Sequence, residues 1–132
     1  MARRASRDDA ARKLAIDAAR LAHDSRGEDI IVLNLRGMSP VTDYFVVVTG
    51  TSDRQMRSVA DDIKKHGREI GQPVWHVAGR DSARWILLDF VDVVVHIFGA
   101  EYRGYYDLEL IWGGAPRVRW RRRRKPQTRS DS

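Results

Sequence analysis

Tyr44-Phe45-Val46-Val47-Val48-Thr49-Gly50-Thr51-Ser52-Asp53 is the stretch that decides the fold. Its first half is a continuous aromatic and β-branched run, which suits an inner strand covered on both faces. Gly50 then turns the chain. Thr51 or Ser52 offers a side-chain oxygen to the first free N–H groups of a helix, and Asp53 suits that helix's positive end. A strand passing through a tight turn into a helix marks an α/β domain.

Downstream, Met56, Val59, Ala60, Ile63 and Ile70 recur on one helical face, while Asp61, Asp62, Lys64 and Lys65 face water. Gly67 is an awkward residue inside such a helix and is expected to mark fraying or a bend. Pro73-Val74-Trp75-His76-Val77 reads as a short strand near a sheet edge because of its proline. Trp85 to Phe90 and Val93 to Phe98 follow as two strands, close enough to form a hairpin around Val91-Asp92. A closing helix is expected from near Ala100 to Ile111 or Trp112, stopped by Gly113-Gly114-Ala115-Pro116.

Upstream, Asp29 to Leu35 forms a strand after a helix over residues 8–25, whose buried face carries Leu14, Ala18, Leu21 and Ala22. The expected fold is therefore α/β, in the order α-β-β-α-β-β-β-α, with a mixed sheet of about five strands. Residues 1–7 are expected as a disordered extension, 8–116 as the domain, and 117–132 as a basic, disordered tail.

The net charge of +6 belongs to that tail. Arg117 to the end holds eight basic residues and one acid, whereas residues 1–116 carry 16 basic and 17 acidic side chains. The run Arg121-Arg122-Arg123-Arg124-Lys125 suits phosphate without reading sequence; a solvated, charged end is the alternative. The chain has no cysteine, so disulfides and thiolate chemistry are excluded. Its first residues lack an apolar segment, and Asp8 and Asp9 follow closely. A cytoplasmic address is the expectation.

Catalytic constellations are weak. His23, His66, His76 and His96 form no pair at metal-ligand spacing, and His96 in its apolar strand reads as a core histidine. Gly50-Thr51-Ser52 at a helix start could hold phosphate, but helix capping explains it equally. Asp89 and Asp92 sit three apart across a turn, whereas carboxylates two apart would share a strand face and converge on metal ions. Within Trp85 to Phe90, one face receives Trp85, Leu87 and Asp89. That face is either a binding patch with a tryptophan beside a carboxylate or core under a helix.

Several stretches taken together resemble the ribosomal silencing factor (RsfS, Iojap-like) family. They are Glu28-Asp29-Ile30-Ile31-Val32-Leu33, Thr42 to Gln55, Trp85 to Phe98, and Glu101 to Trp112. The likeness covers about residues 10–116. It implies a small α/β domain shaped like nucleotidyltransferases without their catalytic carboxylates, no enzyme activity and no cofactor. It also implies binding to the large ribosomal subunit at ribosomal protein uL14, a block on small-subunit joining when nutrients are scarce, and a homodimer. By motif position, Trp85, Asp89 and Phe90 are the expected uL14 contacts, with Tyr106 and Glu109 behind them; the residues from Arg121 to Lys125 are candidate contacts to ribosomal RNA. Phe90-Val91-Asp92 departs from the family's Gly-Asp turn, which implies a longer or strained hairpin. Two other readings stay open: a nucleotidyltransferase-like enzyme using Gly50 to Ser52, and a nonspecific RNA-binding module resting on the tail.

Overall fold

The computed structural model describes residues 2–103, 112 and 114–123. Its elements run α1 (Ala2–Asp24), β1 (Glu28–Asn34), β2 (Tyr44–Gly50), α2 (Asp53–Glu69), β3 (His76–Ala78), β4 (Trp85–Asp89) and β5 (Val93–Gly99). The five strands form one sheet in the order β1-β2-β5-β4-β3. Only β2 and β5 are parallel, and the other three pairs are antiparallel. The mixed α/β architecture expected from the sequence is present, with elements in the expected order through β5. The closing helix lies outside the described residues, apart from the turn at residues 101–103 and Trp112.

Both helices cover the same face of the sheet. α1 presents Ala11, Leu14, Ala15, Ala18, Ala19 and Ala22, all buried, and its small side chains let the helix lie close on the strands. α2 adds Met56, Val59, Ala60 and Ile63. Beneath them lie Val32, Tyr44, Val46, Val48, Ile86, Leu88, Val93, Val95 and Ile97, the alternate residues of four strands. Ser52 caps α2 by accepting from the Gln55 N–H at 3.0 Å. Among the described residues no helix is long and apolar enough to cross a membrane.

Three structural features bear on the expectations. Gly67 marks close packing inside a continuous helix, not a bend. A Cβ there would meet the Phe90 ring at 2.7 Å and the Gln72 carbonyl at 2.6 Å. At the N-terminus, helix α1 already begins at Ala2, within the stretch expected to be disordered. Residues 116–120, which include the start of the expected tail, lie against β1. The Val118 N–H donates to the Val32 carbonyl, the Asn34 N–H donates to the Pro116 carbonyl, and Arg117 bridges Leu33 in antiparallel sense. Val118 and Trp120 are buried in the main core, and the Trp120 indole N–H donates to the Ile30 carbonyl at 3.1 Å. These residues cover the outer edge of β1, which would otherwise present unpaired backbone groups.

The β4–β5 hairpin turns through Val91 at φ 75°. A β-branched residue is strained in the left-handed region, where glycine is at ease. Val91→Gly is expected to raise stability by about 1 kcal/mol, the relieved strain outweighing the added freedom of the unfolded chain. An increase in Tm of roughly 4 °C would report it. Trp120→Ala is expected to lower stability by about 3 kcal/mol in denaturant unfolding, an effect that a disordered tail could not have.

Candidate functional site

The face of the sheet away from the helices carries the other half of each strand's alternation. On β4 these residues are Trp85, Leu87 and Asp89; on β5 they are Val94, His96 and Phe98; on β2 Phe45 and Val47 take the same face. No helix of the described residues covers them. Leu33 and Leu35 are buried there with Ala115, beside half-buried Ile31, Phe45 and Trp112.

Four rings order the centre of this face. Trp85 stacks on Phe98 with centroids 5.1 Å apart, and its indole N–H donates to His96 Nδ1 at 3.0 Å. Phe45 packs edge-on against His96 at 4.5 Å. His96 is only 4% exposed, and burial pushes its pKa down to about 4, so the ring is neutral. Because Nδ1 accepts from Trp85, the ring proton resides on Nε2, a buried atom that no described residue pairs.

Beside this cluster opens a cleft of about 530 Å³. Its floor and walls are Phe45, Leu87, Val94, His96 and Trp112, and its rim includes Val41, Trp75, Asp89 and Val91. Among the described residues four large hydrophobic side chains are exposed, and three of them stand on this rim: Val41 at 79%, Trp75 at 73% and Val91 at 48%. Scattered exposed apolar residues are ordinary, but convergence on one cleft marks an interaction surface. Asp89 accepts the Val91 N–H at 2.7 Å and, through its carbonyl, the Trp75 N–H at 2.8 Å, so it holds two rim residues in place. Across Val41 and Val91 lies a charged recess with Asp8, Asp43 and Asp92, where Arg7 pairs with Asp92 at 3.0 Å. Burial, then the neighbouring Asp92 and Asp8 charges, pushes the Asp43 carboxyl up.

The residues singled out in the sequence separate on this map. Trp85 and Asp89 share the open face, with Trp85 half-buried and serving as a support beside the cleft. Phe90 does not join them: it is buried under α2 against Gly67, because strand alternation turns it to the helix side. Tyr106 and Glu109 lie outside the described residues, as do Arg124 and Lys125. Arg121, Arg122 and Arg123 lie at the far side of the domain, along β1 and α1. Trp75 was missed as a candidate; its place beside Pro73 near an edge strand was the available signal. Two N–H donors that the phosphate reading of Gly50 to Ser52 would use are taken by the protein itself. The Thr51 N–H donates to Gln55 Oε1, and the Gln55 N–H donates to Ser52 Oγ, both at 3.0 Å. Nor do Asp89 and Asp92 converge, since one braces the turn and the other pairs with Arg7. Among the described residues no three metal-ligating side chains gather.

A neutral buried His96 has a consequence for pH. Unfolded, the ring titrates near 6.5; folded, near 4. Between these values the unfolded chain binds a proton that the folded one does not, so stability falls as pH drops through that window. The slope from this group reaches about 1.4 kcal/mol per pH unit. Denaturant unfolding across the window is expected to show it, and His96→Asn is expected to lack it.

Comparison with known proteins gives this surface its context. The model of the family "Ribosomal silencing factor during starvation" matches residues 8–132. The ribosomal silencing factor RsfS of Bacillus subtilis is 46% identical over 99 residues, covering 75% of this chain and 84% of that protein. The mouse mitochondrial assembly of ribosomal large subunit protein 1 is 30% identical over 95 residues, which is 70% of this chain and 42% of that one. Among solved structures, a Chromobacterium violaceum protein superposes with a TM-score of 0.72 at 33% identity, covering 92% of this chain and 91% of its own. A Bacillus halodurans protein gives 0.68 at 36% identity, over 81% and 94%. The chain belongs to the ribosomal silencing factor family.

Proposed function

We propose that this protein binds the large ribosomal subunit at ribosomal protein uL14 through the apolar cleft, and so excludes the small subunit and represses translation when nutrients are limiting. The observation that carries this reading is the cleft itself, with Val41, Trp75 and Val91 exposed around a floor of Phe45, Leu87 and Val94. Tryptophan is among the residues most enriched at binding hot spots. Trp75 supplies one directly. Trp85 supports the floor through His96 and Phe98, and Asp89 fixes the rim. Tyr106 and Glu109 are further uL14 contacts by motif position, and the residues from Arg121 to Lys125 are the candidates for contact with ribosomal RNA.

The block is steric. One occupant of a surface excludes another by mass action, so no covalent step, metal or cofactor is part of it. The protein acts in the cytoplasm as a binder, not an enzyme, and pairs with a second copy when it is free of the ribosome. Val91 fits the reading, since strain at a half-exposed residue is retained where its side chain serves the surface.

Co-sedimentation with purified large subunits tests the proposal. Trp75→Ala is expected to weaken binding at least tenfold, about 1.4 kcal/mol, with circular dichroism unchanged because the side chain is largely in solvent. Trp85→Ala is expected to weaken binding and also lower the Tm, since it removes the partner of His96. Unaltered sedimentation of Trp75→Ala would remove the cleft from the interface. Unimpeded joining of the two subunits in the presence of the wild-type chain would defeat the steric block.

A further inference from the structure

The segment after Pro116 alternates. Val118 and Trp120 are buried, while Arg117, Arg119, Arg121 and Arg123 are exposed. Its position is set by contacts on three sides. The backbone pairs with β1 at Val32 and Asn34. The Trp120 carbonyl accepts from Arg20 Nε at 2.8 Å, and His23 packs on the Trp120 ring at 5.5 Å. Arg122 is drawn out of the row by Asp24, whose two carboxylate oxygens each accept at 2.8 Å. Arg121 lies over the Trp120 ring with its guanidinium carbon 5.0 Å from the centroid.

We infer that Arg119, Arg121 and Arg123 form an ordered contact for the phosphodiester backbone of RNA. The inference rests on the large-subunit reading above and gives its RNA contact a defined geometry. Alternate residues of an extended chain stand about 6.5 Å apart, an interval comparable with neighbouring phosphates on a nucleic-acid strand. The row keeps this interval until the chain bends at Arg121. A guanidinium presents a planar fork of donors that matches phosphate oxygens. Residues 117–123 hold five arginines and no acid, and His23, Arg119, Trp120 and Arg121 line a groove of about 750 Å³. Because the backbone is already held by β1 and α1, less ordering entropy opposes binding than for a loose tail. The row carries one sign of charge and addresses phosphates, contacts that position a strand and carry no sequence information.

Fluorescence anisotropy of the full chain with a labelled single-stranded oligouridylate, over a series of salt concentrations, tests this. Replacing Arg119, Arg121 and Arg123 by Gln is expected to lower the salt slope by about 2 and the affinity roughly tenfold. Replacing Arg124, Lys125 and Arg129 by Gln removes the same charge beyond the row and is expected to have a much smaller effect. Equal losses from the two sets, or no loss from the first, overturn the inference. Binding to phosphatidylserine vesicles combined with indifference to the RNA probe overturns it too. A wild-type chain that binds the probe and yet ignores purified large subunits leaves the arginine row standing and refutes the proposed function instead.

Discussion

Two helices lie on one face of a five-stranded sheet, and most of the molecule follows from that one-sidedness. Strand alternation gives every strand two faces, and only one is covered by α1 and α2. Among the described residues, the apolar side chains of the other face cover one another in part. Trp85, His96 and Phe98 do so around β4 and β5. Leu33, Leu35 and Ala115 do it over β1 and β2. Between these two clusters the cover is incomplete, and the cleft is what remains.

The same constraint explains the polar groups placed there. A histidine in the middle of an apolar strand is tolerated because it stays neutral and accepts the Trp85 N–H, which satisfies one buried donor. Asp89 lies on the same face but near the end of its strand, where its carboxylate holds the turn that carries Val91. A strained valine and an exposed tryptophan are thus fixed by one acidic residue. Rigid presentation suits a protein that acts by occupying space, because little ordering remains to oppose association.

On the opposite flank, the end of the described chain solves a different problem. β1 is an edge strand, and open edges invite pairing with other chains. Pro116 to Trp120 cover it with backbone hydrogen bonds and two buried side chains. What the composition suggests is a mobile cationic end is packed on the domain through Trp120 and tied to α1 by the Arg122–Asp24 pair. Its arginines consequently occupy defined positions on the side where Asp24 and Arg20 of α1 meet β1.

The sequence by itself determined the elements and their order, because local chemistry writes them. The β-branched run from Tyr44, the Ser52 cap and the stripe of α2 needed no knowledge of distant residues. The motifs from Thr42 to Gln55 and from Trp85 to Phe98 were likewise enough for the family. Tertiary structure alone decided which face each residue serves. Phe90 followed alternation into the core, Gly67 turned out to make room for it, and Trp75 became the most prominent side chain of the cleft. Those outcomes depend on both helices packing on the same side of the sheet and on residues 116–120 returning to β1. Contacts between residues about ninety positions apart leave no local periodicity to read.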